Sequence, residues 1–112
     1  MPGYFLYVLE CDNGSYYTGY TKNLARRYAE HRNGTAKSSY TRSFRPIRIA
    51  QCWHLDDSIG VVLRIERWIK QQSKATKILL IQRPDQLKAM VEKKLKIEVN
   101  IMPFNWSDID QK

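Results

Sequence analysis

No apolar run in this sequence approaches the roughly 20 residues that a membrane-spanning helix needs, which argues against a membrane partner. The opening stretch MPGYFLYVLEC has no basic segment ahead of its apolar residues and no small-residue cleavage site after them, so no secretory leader is expected. Cysteine is scarce too. Cys11 and Cys52 are the only two, and neither belongs to a CxxC pair, so a zinc knuckle has no ligand set. Both lie in strand-like apolar stretches and read as buried free thiols of a reducing compartment. The expectation is a soluble, cytoplasmic protein.

Acid is what the middle of the chain lacks. Between Lys22 and Arg48 there are eight basic residues and one acid, Glu30, so this stretch alone carries +7 of the net +8. The remainder is balanced, eleven basic residues against ten acidic. Charge concentrated in this way beside aromatic residues suits a polyanion surface, with nucleic acid the leading candidate. The competing reading is a solvated face that serves solubility. With 112 residues, 43% of them hydrophobic and 12% aromatic, the chain can build one compact core. It has no internal repeat and no linker.

Residues 4–11 and 16–20 read as two strands joined across Asp12-Asn13-Gly14, a strong hairpin signal. The length of the turn decides which side chains share a face. A two-residue Asn13-Gly14 loop would send Tyr7 and Tyr17 to opposite faces. A three-residue loop with Gly14 at positive φ pairs Leu9 with Tyr17 and makes Tyr7 and Tyr17 diagonal neighbours on one face. The three-residue loop is the expectation.

A helix follows over NLARRYAEHRNG, with Asn23 or Thr21 as cap and Gly34 at its C-terminal end. Residues 35–45 are polar, basic and aperiodic and read as a loop. Pro46 opens a third strand, whose alternation puts Ile47, Ile49 and Gln51 on one side and Arg48, Ala50 and Cys52 on the other. Three helical segments come next: 58–72 capped by Asp57 or Ser58, another after Ser73, and one with Pro84 in its first turn. The tail gives only weak strand signals. The fold class expected is α+β, a small three-stranded antiparallel sheet flanked by helices. The division expected is residues 1–83 as the main domain, with a C-terminal helix and tail over 84–112 packed on or extending it.

Polar residues in apolar stripes are the candidates for chemistry. Glu66 stands with Ile59, Val62, Leu63 and Ile69 on one stripe of the 58–72 helix, and a carboxylate facing the protein body is costly unless paired or bound to a cation. A salt bridge to Arg27 or a neighbour would satisfy it, and so would a metal ion. Leu24, Arg27, Tyr28 and His31 share one face of the first helix. Taken singly, Arg27, His31 and the tyrosines each admit a purely structural role.

Together these residues resemble the GIY-YIG nuclease domain. The first tripeptide of that family falls on Phe5-Leu6-Tyr7 and the second on Tyr17-Thr18-Gly19, with the hairpin turn between. Arg27 and His31 match its helix residues, and Glu66 matches its metal-binding glutamate. The resemblance covers about residues 4–82 and extends to small stand-alone bacterial proteins, to the incision subunit of bacterial excision repair and to intron homing nucleases. Phe5 replaces a glycine, Tyr20 stands where some members carry a lysine, and Lys70 is the substitute for a later Asn or Lys near the phosphate.

The resemblance implies a DNA endonuclease that hydrolyses phosphodiester bonds with one Mg²⁺ or Mn²⁺. Tyr17 would be base or water-orienting group, assisted by Tyr7 and His31. A free phenol titrates near pH 10, so the metal and Arg27 would have to lower it. Arg27 would clamp a non-bridging oxygen and Glu66 would hold the ion. Lys22, Arg26, Lys37, Arg42, Arg45 and Lys70 are the expected contacts to the nucleic acid. The sequence shows no base-reading element, so structure-specific or partner-directed cutting is expected, on branched DNA or strand junctions, with a repair or recombination protein as the further partner. The alternative is a non-catalytic nucleic-acid-binding or repair-complex interaction module on the same fold.

Overall fold

The computed structural model describes residues 3–106. The tail residues 107–112 of the expected C-terminal segment lie outside that range. Strand β1 (Tyr4–Cys11) turns into β2 (Tyr16–Thr21) through the three-residue loop: the Cys11 N–H donates to the Ser15 carbonyl at 2.9 Å, Leu9 pairs with Tyr17, and Gly14 has φ 82°. Glycine takes that left-handed conformation without strain, which is why the odd-length loop closes here.

Helix α1 (Leu24–Asn33) begins where the Asn23 side chain accepts the Arg26 N–H and ends at left-handed Gly34. Residues 39–43, expected to be loop, instead form one helical turn, α2 (Ser39–Ser43), whose N-cap Ser38 accepts the Thr41 N–H. A single turn is too short to show a period, so pattern reading misses it.

Strand β3 (Pro46–Leu55) runs antiparallel to β1. Its faces differ from simple alternation. Val8 pairs with Gln51 and Leu9 with Ile49, so Ala50 is an extra residue in a bulge. The bulge shifts the phase: Ile49 and Cys52 both join the α1 side, while Ala50 joins the opposite one. Gln51 is buried and donates its amide to the Ile81 carbonyl. A second irregularity between Glu10 and Cys11 leaves Ile47 unpaired and exposed.

Helices α3 (Ile59–Lys70), α4 (Lys74–Gln82) and α5 (Gln86–Leu95) follow; Ser58 and Ser73 cap the first two. Pro84 lies just ahead of α5 rather than within its first turn. Strand β4 (Ile101–Pro103) pairs with β3 and brings the antiparallel sheet to four strands, order β2-β1-β3-β4, one more than expected.

The sheet is covered on both faces. Leu6, Val8, Trp53 and Leu55 pack against Val62, Ile65, Ile69 and Leu80 of α3 and α4, and Leu87, Val91 and Ile101 complete that core. On the other face Tyr7, Leu9, Ile49 and Cys52 pack under Leu24 and Tyr28 of α1. Burial of these side chains, worth about 1.5–3 kcal/mol each, dominates the fold. The two cysteines are free and buried. Among the described residues no helix is long and apolar enough to cross a membrane. Strands β2 and β4 are the two edges of the sheet, and α3 packs on β2 from one face.

Candidate active site

A groove of about 610 Å³ opens at the β2 edge, lined by Tyr7, Tyr17, Gly19, Arg27, His31 and Glu66, with Lys22, Arg26 and Lys37 at its rim. Arg27 and His31 come from α1 and Glu66 from α3, helices on opposite faces of the sheet. They meet because only the edge strand separates them. The sheet itself contributes both tyrosines through the register that the three-residue loop imposes.

Tyr7 and His31 form the buried floor, 3% and 2% exposed. The Tyr7 hydroxyl lies 2.9 Å from His31 Nε2, and His31 Nδ1 lies 2.9 Å from Thr41 Oγ1. Burial, followed by the Arg27 guanidinium, lowers the His31 pKa to about 4, with Glu30 acting the other way. The ring is therefore neutral at pH 7. Burial, then the neighbouring Tyr17, pushes the Tyr7 phenol well above its ordinary range; Arg27 opposes that rise. Because the Thr41 hydroxyl has the Ser38 carbonyl as acceptor for its proton, Thr41 accepts from Nδ1–H, which assigns Nε2 as the acceptor of the neutral Tyr7 phenol.

Gly19 explains how the Tyr7 ring lies so close to the neighbouring strand. The two residues are cross-strand partners, and a Cβ at position 19 would stand 2.5 Å from the Tyr7 hydroxyl oxygen. Only glycine leaves that space. Tyr17, by contrast, presents its ring to His31 with centroids 5.2 Å apart, and its hydroxyl has no hydrogen-bond partner among the described residues. One phenol is fixed and the other is available.

The Nε of Arg27 is buried and makes no hydrogen bond; the nearest carboxylate, Glu30, is 3.6 Å away. A buried, unsatisfied charged donor costs free energy until an acceptor fills it. Glu66, its side chain 15% exposed, has Lys70 Nζ at 3.7 Å rather than Arg27 as its ionic partner. Lys70 also lies 5.6 Å from the Tyr17 ring centroid and lines a neighbouring cleft. Arg42 and Arg45 are exposed and line neither cavity. Among the described residues no cluster of three or more His, Cys, Asp or Glu could hold a metal ion. Among the described residues Glu66 is the one carboxylate lining the groove, and with water and ligand oxygens supplying the rest that donor set fits Mg²⁺ or Mn²⁺ and not Zn²⁺.

Sequence reasoning missed Thr41, which fixes the His31 ring, and Tyr40, which stacks on Tyr17 at 6.1 Å between centroids. Both sit on α2. Ser38 as a cap three residues before Thr41 was the available signal.

A family model described as the GIY-YIG catalytic domain matches residues 3–78. A UPF0213 protein of Syntrophus aciditrophicus is 40% identical over 86 residues, which cover 74% of this chain and 95% of the relative. A UPF0213 protein of Fusobacterium nucleatum is 34% identical over 96 residues, covering 86% and 94%. The solution NMR structure of a UPF0213 protein from Bacillus halodurans is 33% identical, covers 72% of this chain and 84% of that one, and has a TM-score of 0.47. By the matched domain and these relatives, the chain belongs to the GIY-YIG catalytic domain family, among the UPF0213 proteins.

Proposed function

We propose that this protein is a divalent-metal-dependent DNA endonuclease that hydrolyses phosphodiester bonds and selects DNA by structure or through a partner protein. One observation carries the reading: a free phenol, a fixed phenol–imidazole pair, a guanidinium whose Nε makes no hydrogen bond and a half-buried carboxylate line one basic groove. Each does a different part of the same reaction.

Hydrolysis needs a water activated and aimed at phosphorus, charge stabilisation on the phosphoryl oxygens and help for the leaving oxygen. Arg27, its side chain 35% exposed, takes a non-bridging oxygen through its planar fork. The Tyr17 hydroxyl, without a hydrogen-bond partner among the described residues, accepts from the attacking water and orients it. Tyr7 holds the second side of that water with a lone pair, while its own proton remains on the hydrogen bond to His31. The neutral imidazole is an acceptor into which that proton can pass as charge builds. Glu66 would hold the Mg²⁺ or Mn²⁺, which would supply Lewis-acid charge stabilisation when bound. Lys22, Arg26 and Lys37 hold the flanking phosphates.

The test is incubation of branched, flapped and duplex DNA with Mg²⁺ or Mn²⁺, comparing wild type with Glu66→Ala. Metal-dependent cutting of at least one form, lost in the variant, is expected. A second reading has its own observation. The Glu66–Lys70 pair offsets the repulsion a lone carboxylate would exert on phosphate, which suits a non-catalytic binding or repair-complex module. A wild type that cuts no form with either metal would favour it.

A further inference from the structure

Beside the groove lies a second cleft of about 400 Å³, and the two share Tyr17 as a common wall. Its lining joins Tyr16, Tyr17 and Tyr40 with Lys70, Lys74 and Lys77. We propose that this cleft seats an unpaired nucleotide of single-stranded DNA next to the phosphate held in the groove, base against the tyrosines and phosphates against the lysines. The inference rests on the nucleic-acid reading of the groove and deepens it by naming where an unpaired strand runs.

Three observations support it. The aromatic wall is already organised: Tyr17 and Tyr40 stack with an interplanar angle of 22°, and the Tyr40 hydroxyl donates to Ser15 Oγ, which fixes its ring. Such π faces accept any base, and interleaved with cations they form the usual platform for single strands. The lysines are placed at a cost. Lys74 and Lys77 stand in the first turn of α4, where the helix dipole favours acids, and that turn contains none. No carboxylate lines the cleft; Glu66 stands beyond Lys70, on the groove side. Lys70 and Lys74 lie over the Tyr17 and Tyr16 rings, and an anion would complement all three charges. Finally, Thr18 lines the cleft, and its hydroxyl is buried without a hydrogen-bond partner among the described residues, so a ligand that parts this wall would give it one.

The shared wall gives the cleft its direction. A strand with one phosphate between Arg27 and Tyr17 reaches Lys70 within one nucleotide, because Lys70 Nζ lies 5.6 Å from the Tyr17 ring centroid. The groove beyond Lys22 and Arg26 then faces the paired side of a junction.

The experiment measures fluorescence anisotropy of labelled short oligo(dT) and of a blunt duplex, without divalent metal, so that no cutting enters the readout. Wild type is compared with Lys74→Ala/Lys77→Ala and with Tyr40→Leu, and circular dichroism checks folding. Lys74 is exposed and Lys77 partly so, which keeps the lysine variant interpretable if the tyrosine variant unfolds. Expected for the lysine variant is a salt slope on oligo(dT) shallower by roughly 1.4, about 0.7 per lost phosphate contact, with duplex affinity within twofold or so of wild type. Tyr40→Leu should weaken oligo(dT) roughly tenfold. Equal losses on oligo(dT) and duplex would reduce the cleft to a general basic patch, and an unchanged lysine variant would remove it. Thymidine monophosphate competing as well as oligo(dT) would reassign it to a free nucleotide. A protein that cuts nothing yet shows the selective oligo(dT) loss would refute the nuclease and leave the cleft standing. Cutting without that loss would do the reverse.

Discussion

The Tyr7 hydroxyl oxygen lies 2.9 Å from His31 Nε2, and the same imidazole reaches Thr41 Oγ1 at 2.9 Å through Nδ1. The Thr41 hydroxyl has the Ser38 carbonyl as acceptor for its own proton, at 3.5 Å. A chain of donors therefore runs from the groove inward, from Tyr7 to His31 to Thr41 to Ser38. It holds one imidazole tautomer and one orientation of a phenol in a buried place.

Thr41→Val removes the acceptor for the Nδ1 proton. Nitrogen NMR of the imidazole should then show a mixed tautomer, and kcat should fall roughly tenfold or more, the scale of lost outer-shell partners, with KM little changed. A variant that keeps both the tautomer and kcat would show that the chain is not used in turnover.

His31 makes the protein sensitive to acid. Its folded pKa is about 4 against the ordinary imidazole value of 6.5, so above pH 6.5 both states are neutral and its contribution is fully present. Between pH 6.5 and 4 the unfolded chain binds a proton that the folded one refuses, and stability falls with pH; below about 4 the loss levels off. The total is up to roughly 3 kcal/mol. Urea unfolding at pH 7 and pH 4.5 should show a larger loss for wild type than for His31→Gln. Equal losses would place the acid sensitivity elsewhere.

Gly19→Ala should damage the site more than the fold. The new Cβ meets the Tyr7 hydroxyl at 2.5 Å and must push the ring away from His31. Breaking that buried hydrogen bond costs about 1–3 kcal/mol, and cleavage should drop at least tenfold if Tyr7 positions the water. Unaltered cleavage, with the ring displaced in an NMR or crystal structure, would remove Tyr7 from the mechanism.

Glu66→Ala should separate binding from cutting. Removing a negative charge beside Lys70 leaves DNA affinity in the absence of metal equal or higher, while the site loses its one carboxylate for Mg²⁺. Weaker metal-free binding would mean that Glu66 organises the groove rather than holding an ion.

Duplex binding should be steep in salt. If Lys22, Arg26, Arg27 and Lys37, the four cations lining the groove, all meet phosphates, log K falls against log salt with a slope of roughly −3 to −4. Lys22→Ala should lower its magnitude by about 1. Arg42→Ala and Arg45→Ala should change it less, because neither side chain lines the groove. Equal effects from all three would extend the interface over α2.

The hairpin register was legible because Gly14 is the residue that closes an odd-length loop, and one residue of slip would have sent Tyr17 to the other face. The α1 face was legible because ten residues of helix show their period, and its caps, Asn23 and Gly34, are side-chain chemistry written locally. The charge of residues 22–48 needed only counting. Other features depend on contacts between distant segments. The bulge at Ala50 follows from how β3 must meet β1 and both cores at once, and no local pattern announces it. The strand β4 owes its existence to a free edge of β3 rather than to three residues of weak propensity. That Glu66 and His31, from helices on opposite faces of the sheet, open into one groove was decided by the strand order, which leaves β2 at an edge where its Tyr17 and Gly19 line the groove with both. Periodicity can say which side of a helix turns inward; only the packed sheet determines what it meets there.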